Sequence, residues 1–181
     1  MNRPAAFLLI GAAVLASGCA SVPMASHEAD AAAKKFEVPS GRANLYVYRN
    51  ESFGGAVRMS VQFDGAVLGD TAANVYLYTP IAPGPHTIVS KSEDDSQLTI
   101  EAKAGANYFL WQEVKMGLWA ARSALQQVDD AKGRAGVAEC NLAKTNAPLV
   151  SSGCTKDIEC KGSRICKAGA CIDSVQSLPT N

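Results

Sequence analysis

Two histidines and a run of three acids are the first places in this chain where residue type and spacing could support chemistry. His27 lies in a stretch rich in Ala, Ser and Lys, where a solvated side chain is expected. His86 follows Pro83-Gly84-Pro85, a turn whose prolines fix φ and whose glycine tolerates an unusual one. As a general base, His86 would need a carboxylate and a hydroxyl within hydrogen-bond reach. Ser90 and Ser92 nearby form no nucleophile motif, so His86 is expected to face solvent or to bond its own turn. Glu93-Asp94-Asp95 offers the hard oxygens that calcium prefers, but adjacent acids alternate in direction on a strand and no glycine-containing ligand loop follows. A solvated hairpin tip is the expectation there, and neither a metal nor another cofactor is expected anywhere.

Six cysteines complete the set, and the first stands apart from the rest. Residues 1–18 run from one positive charge at Arg3 through an apolar core at 5–16 to the small pair Ser17-Gly18, the order of a secretory signal peptide. That core would span about 18 Å as a helix against about 30 Å of hydrocarbon, too short for a comfortable transmembrane span. Leu15-Ala16-Ser17-Gly18-Cys19 resembles the lipobox of bacterial lipoproteins, although Ala16 stands where Leu, Val or Ile is commoner. The resemblance implies cleavage before Cys19 and acyl chains, palmitate among them, on that cysteine. Ala20, in place of Asp, implies sorting to the outer membrane, on its periplasmic face.

Export makes disulfides the expected state of the clustered Cys154, Cys160, Cys166 and Cys171. Their five, five and four intervening residues lack the tight Cys-x-x-Cys pairs of a zinc ribbon. Ile158, Ile165 and Ile172 are too few to order the tail by burial, so covalent closure must do it. Interlaced bridges, Cys154–Cys166 with Cys160–Cys171, are expected because they are the more compact arrangement, each worth roughly 3 kcal/mol in a chain-entropy estimate. Adjacent bridges would leave two loosely joined rings, and spacing does not choose between the pairings. Cys140 is either a buried thiol or a partner in an intermolecular disulfide.

The elements that must carry these residues show a period of two from Arg42 onward. Val57, Met59, Val61 and Phe63 alternate with Arg58, Ser60, Gln62 and Asp64, as a half-buried strand does. Asp64-Gly65 supplies a tight hairpin, and Ala66 to Leu68 starts the return strand. Further strands are predicted over 44–49, 74–79, 87–91, 97–103 and 107–114, with breaks at Gly54-Gly55, Pro80 through Pro85, 93–95 and 105–107. This spacing argues for an all-β, antiparallel β-sandwich. Residues 121–128 read either as another strand or as the start of a helix. Ala131, Ala135, Ala138 and Leu142 recur at helical spacing after a cap at Asp129 or Asp130, with Gly133 and Gly136 arguing against a helix.

The chain thus divides into a signal peptide (1–18), a lipidated tether (19–40) about 70 Å long if extended, a sandwich (41–143), a linker (144–153) and a cysteine-rich tail (154–173). Tyr46, Tyr48, Tyr76 and Tyr78 share faces opposite Leu45, Val47, Val75 and Leu77. They form either an aromatic patch for a glycan or partner protein, or a second buried face beneath the helix. Trp111 and Trp119 are expected in the core or at its edge. Seventeen basic and seventeen acidic residues, with no block of one sign, disfavour nucleic acid as a partner.

Arg42-Ala-Asn-Leu-Tyr-Val-Tyr-Arg49, Phe63-Asp-Gly65, Ala82-Pro-Gly-Pro-His-Thr87 and Gly105-Ala-Asn-Tyr108 together resemble a family of small bacterial lipoproteins known as domain of unknown function 2846, over about residues 40–130. The turn before His86 is also similar to carboxypeptidase-regulatory, prealbumin and PEGA-like sandwiches. The tail resembles a short cysteine-rich motif of the Dickkopf amino-terminal region and of exported myxobacterial proteins. None of these resemblances brings a catalytic residue with it. A non-enzymatic, lipid-anchored binding or structural module of the cell envelope is the expected function, with an envelope protein or glycan as partner. The alternatives are an envelope hydrolase using His86, and an inhibitor or accessory subunit of an envelope complex.

Overall fold

Alternation of Met59 and Val61 with Ser60 and Gln62 gives an extended segment that is buried on one side and half-exposed on the other. Asp64 and Gly65 then take φ of 47° and 81°, as a two-residue hairpin turn requires. The computed structural model describes residues 20–53, 55–116, 121–146, 164–167 and 170–173. Its elements in chain order are α1 (His27–Ala33), β1 (Ala43–Arg49), β2 (Met59–Phe63), β3 (Ala66–Thr71), β4 (Val75–Ile81), β5 (Gly84–Ser90), β6 (Ser96–Ala102), β7 (Asn107–Met116), β8 (Ala121–Val128), α2 (Asp130–Ala138), β9 (Asn141–Leu142), β10 (Arg164–Lys167) and β11 (Ala170–Asp173).

The protein is mostly β, and two sheets form its body, ordered β8-β7-β1-β4-β9 and β3-β2-β5-β6. Residues 121–128 are a strand, antiparallel to β7. The expectation of a wholly antiparallel arrangement is corrected: β1 pairs in parallel with β7 and β4 in parallel with β9. A period-two pattern specifies which face of a strand is buried but not the direction of its neighbour. Here β1 and β7 become neighbours only after the chain has built the whole second sheet between them. The break expected from Pro80 is also narrower, because Pro80 lies within β4 opposite Asn44. The β9 partner reaches only Val75 and Tyr76, so the missing Pro80 N–H faces an unpaired edge.

Burial occurs on both faces of the five-stranded sheet, and β1 is buried along its whole length. Leu45, Val47, Leu77 and Leu110 meet Val61, Leu68, Ile88 and Ile100 between the sheets. On the outer face, Tyr46, Tyr48, Tyr76 and Phe109 pack beneath the helices with Ala33, Val137 and Cys140. The helix α2 begins where expected, with the Asp129 side chain accepting from Lys132 N at 2.9 Å. Its glycines are the contact surface rather than an argument against it. A Cβ at Gly133 would lie 2.1 Å from the Phe109 ring, and one at Gly136 would lie 2.1 Å from the Tyr48 ring.

The segment expected as a free tether is docked onto the sandwich. Val22 is 8% exposed within the inter-sheet core. Met24 bridges Ala143, Pro23 O accepts Lys144 N at 2.8 Å, and Ala25 N donates to Leu142 O at 2.9 Å. Ser26 caps α1, which lies on the tyrosine face. Val22, Ala33 and Phe36 fill apolar positions that a solvated tether would leave wet, so burial offsets the entropy of ordering this stretch. Lys144 and Asn146, expected in a linker, are likewise bonded to the body.

The tail strands β10 and β11 pair with Cys166 opposite Cys171 and Ile165 opposite Ile172. The signal segment, Cys19, Cys154, Cys160 and Trp119 lie outside the described residues. Among the described residues, no helix is long and apolar enough to cross a membrane.

Candidate functional site

His86 is presented by β5 against the turn between β2 and β3, where Asp64 sits at positive φ. The turn is clamped onto β5 three times. Asp64 N donates to Thr87 O at 2.9 Å, Asp64 Oδ1 accepts Thr87 N at 2.9 Å, and Asp64 Oδ2 lies 2.6 Å from His86 Nδ1. The imidazole rests near the Phe63 ring, 4.8 Å between centroids, and its Nε2 lies 2.8 Å from Ala82 O. A carbonyl only accepts, so Nε2 carries a proton. The lone pair a general base needs would have to be at Nδ1, where the Asp64 carboxylate already stands.

A carboxylate therefore does reach His86, but the hydroxyls near it are turned elsewhere. Thr87 Oγ1 meets Thr99 Oγ1 at 3.4 Å, and Ser92 Oγ donates to Asp94 O. Ser90 belongs to a buried network between the sheets that sequence reasoning missed. Gln112 Nε2 donates to Ser90 Oγ at 2.5 Å, Ser123 Oγ meets Ser90 Oγ at 2.7 Å, and Thr71 Oγ1 donates to Gln112 Oε1 at 2.5 Å. These side chains satisfy one another, which is what keeps a polar group tolerable in a core. Gln112 falls on the inward face of β7, and a glutamine at an apolar position of the alternation was the available signal.

The acidic run is engaged by cations of the protein itself. Asp95 pairs with Lys91, Asp94 with Arg122 Nε at 2.9 Å, and Glu93 with Arg122 Nη2 at 3.5 Å. Among the described residues, no group of three His, Cys, Asp or Glu side chains could hold a metal ion.

Tyr46, Tyr48 and Tyr76 are at most 1% exposed, and Tyr78 is half-buried beside them. The rings are therefore a second buried face, not an open patch. Tyr46 stacks between Tyr78 at 4.9 Å and Phe109 at 5.0 Å. The hydroxyls fasten α1 and its neighbourhood: Tyr46 Oη donates to Ala33 O at 2.9 Å, Tyr76 Oη to Asp30 O at 3.4 Å, and Tyr78 Oη to Asn44 Oδ1 at 3.2 Å. Burial holds all four phenols above their ordinary range, with Tyr48 pushed up to about 12. Cys140 is a free thiol in the same layer, raised by burial to about 12 and so poorly disposed to react as a thiolate.

His27 is exposed, as a solvated side chain would be. It helps line an open cleft of about 360 Å³ with Met24, Ser26, Asp30 and Asn141. Asp30 itself is committed to the fold, accepting from Leu142 N at 2.9 Å and pairing with Lys34 at 2.8 Å. Burial alone would raise its carboxyl, but these bonds and that from Tyr76 outweigh it and hold it low.

The family described as "Protein of unknown function (DUF2846)" matches residues 39–124. An uncharacterized protein of Haemophilus influenzae is 37% identical over 137 residues, covering 75% of this chain and 82% of that protein. No solved structure matches the chain.

Proposed function

The chain belongs to the DUF2846 family, and we propose that it is a lipid-anchored binding or structural module of the cell envelope, not an enzyme. The anchor is the acylated Cys19, which places the domain at the periplasmic face of the outer membrane, where an envelope protein or glycan is its partner. The lipobox-like run at 15–19 supports that address. One observation carries the rest: the best candidate base, His86, spends both ring nitrogens on Asp64 and Ala82 to lock a hairpin. We read the sandwich as one of the prealbumin or carboxypeptidase-regulatory kind, on the strength of the Pro83-Gly84-Pro85-His86 turn that enters β5. The four tail cysteines are read as two disulfides. Because β10 and β11 set Cys166 opposite Cys171, the adjacent pairing has better support than the interlaced one. Non-reducing peptide mapping should find Cys166 linked to Cys171, and a Cys154–Cys166 peptide would reverse that choice.

A hydrolase remains the second reading, because the Asp64 carboxylate lies 2.6 Å from His86. It would require Nε2 to leave Ala82 and a hydroxyl to arrive. The main test is Cys19→Ser: incorporation of labelled palmitate and release of the signal peptide should both be lost. Palmitate labelling that persists in the variant would refute the anchor. His86→Ala should leave envelope integrity intact, and a null phenotype in folded protein would favour the hydrolase.

A further inference from the structure

We propose that the domain sits flush on the bilayer, with Phe53 buried among the lipids, instead of swinging on a tether; this rests on the acylation of Cys19 proposed above. The residue after that cysteine is already part of the domain: Ala20 N donates to Gly55 O at 2.9 Å. Two residues on, Val22 is 8% exposed inside the core, and Met24 is paired with Ala143. One peptide unit reaches at most about 3.6 Å, so an acyl chain on Cys19 brings the Gly55 backbone to the headgroups.

Gly55 lies in the connection from β1 to β2, which also carries Phe53, 51% exposed. That connection is held firmly. Arg49, a wholly buried side chain, donates from Nη2 to Phe53 O at 3.0 Å and from Nη1 to Val57 O at 2.8 Å. Glu51 accepts Val114 N at 2.5 Å, and Asn50 donates to Glu139 at 2.7 Å. Two residues beyond Val114 stands Met116, 80% exposed. A buried guanidinium thus fixes a loop that presents an aromatic ring outward, next to the point where the lipid begins. Phe, Trp and Leu are the side chains that peripheral segments bury at the boundary between headgroups and acyl chains. The ring would also add a second attachment to the acyl anchor and fix the orientation of the domain.

The test uses the full acylated chain, purified and reconstituted into vesicles of phosphatidylethanolamine and phosphatidylglycerol. Photoreactive benzoylphenylalanine replaces Phe53 in one sample. In another it replaces Lys103, which is exposed in the turn before β7, at the opposite end of β1 from Arg49. Irradiation should give lipid adducts at 53 and none at 103, with the mass of the Cys19 peptide reporting acylation in the same sample. Acylated protein without adducts at 53, or with equal adducts at both sites, overturns the flush seating while leaving the anchor intact. An unmodified Cys19 overturns both readings. In whole cells, an adduct between residue 53 and a protein in place of lipid would assign the loop to a protein partner and also overturn the proposal. Neutron reflectometry of the unsubstituted protein on a supported bilayer should show no water layer between headgroups and protein, and a layer tens of Å thick, as an extended tether of about 70 Å allows, would refute it.

Discussion

At the scale of single residues, the side chains with chemical potential are used mainly as fasteners. His86 and Asp64 hold a turn, Ser90 and Gln112 hold two sheets together, and Arg49 holds a loop. The tyrosines make this use measurable. Their phenols are raised by burial in the folded protein above the ordinary value of 10.0. A group whose folded value is raised contributes its full stability below the unfolded value and loses it as pH climbs through the folded one. Stability to denaturant should therefore begin to fall above about pH 9, where the Cys140 thiol ionises only on unfolding, and fall more steeply above about 10, by up to about 1.4 kcal/mol per pH unit for each tyrosine that does the same. Tyr46→Phe should reduce that slope by one tyrosine's share, and an unchanged slope would mean that Tyr46 ionises in the native state.

At the scale of elements, α2 depends on residues that sequence rules count against a helix. Gly133 and Gly136 bring the helix backbone onto the Phe109 and Tyr48 rings, and an added methyl has no room at either position. Gly136→Ala should gain about 1 kcal/mol of helix propensity but lose about 1–3 kcal/mol to overpacking, a net destabilisation visible as a lower denaturant midpoint. A higher midpoint would show that the buried Tyr48 ring can move aside. The neighbouring α1 is too short to persist alone, so its helicity depends on docking. The bonds of Lys34 to Cys140 O and of Asp30 to Leu142 N, with the tyrosine hydroxyls, supply that docking.

At the scale of the whole molecule, a sandwich with helices on one outer face is closed along an edge by the chain that follows Cys19, and among the described residues none beyond Ala143 belongs to either core cluster. Deleting residues 150–181 should therefore leave one cooperative unfolding transition at an unchanged midpoint, and a broadened or lowered transition would place the tail within the fold. The positions of β1 to β7, the Asp64-Gly65 turn, the Asp129 cap and the family were legible in the sequence, because side-chain periodicity and turn chemistry are local properties of adjacent residues. The direction of β7 beside β1, the choice between a buried and an open tyrosine face, and the docking of residues 20–40 were not. Each depends on a partner far along the chain: Leu110 opposite Val47, Gly136 against Tyr48, Ala143 beside Met24. An Ala- and Ser-rich stretch with two prolines has the composition of a tether whether or not an apolar edge awaits it. Only the tertiary structure supplied that edge, and burial of Val22, Ala33 and Phe36 there turned the stretch into part of the domain.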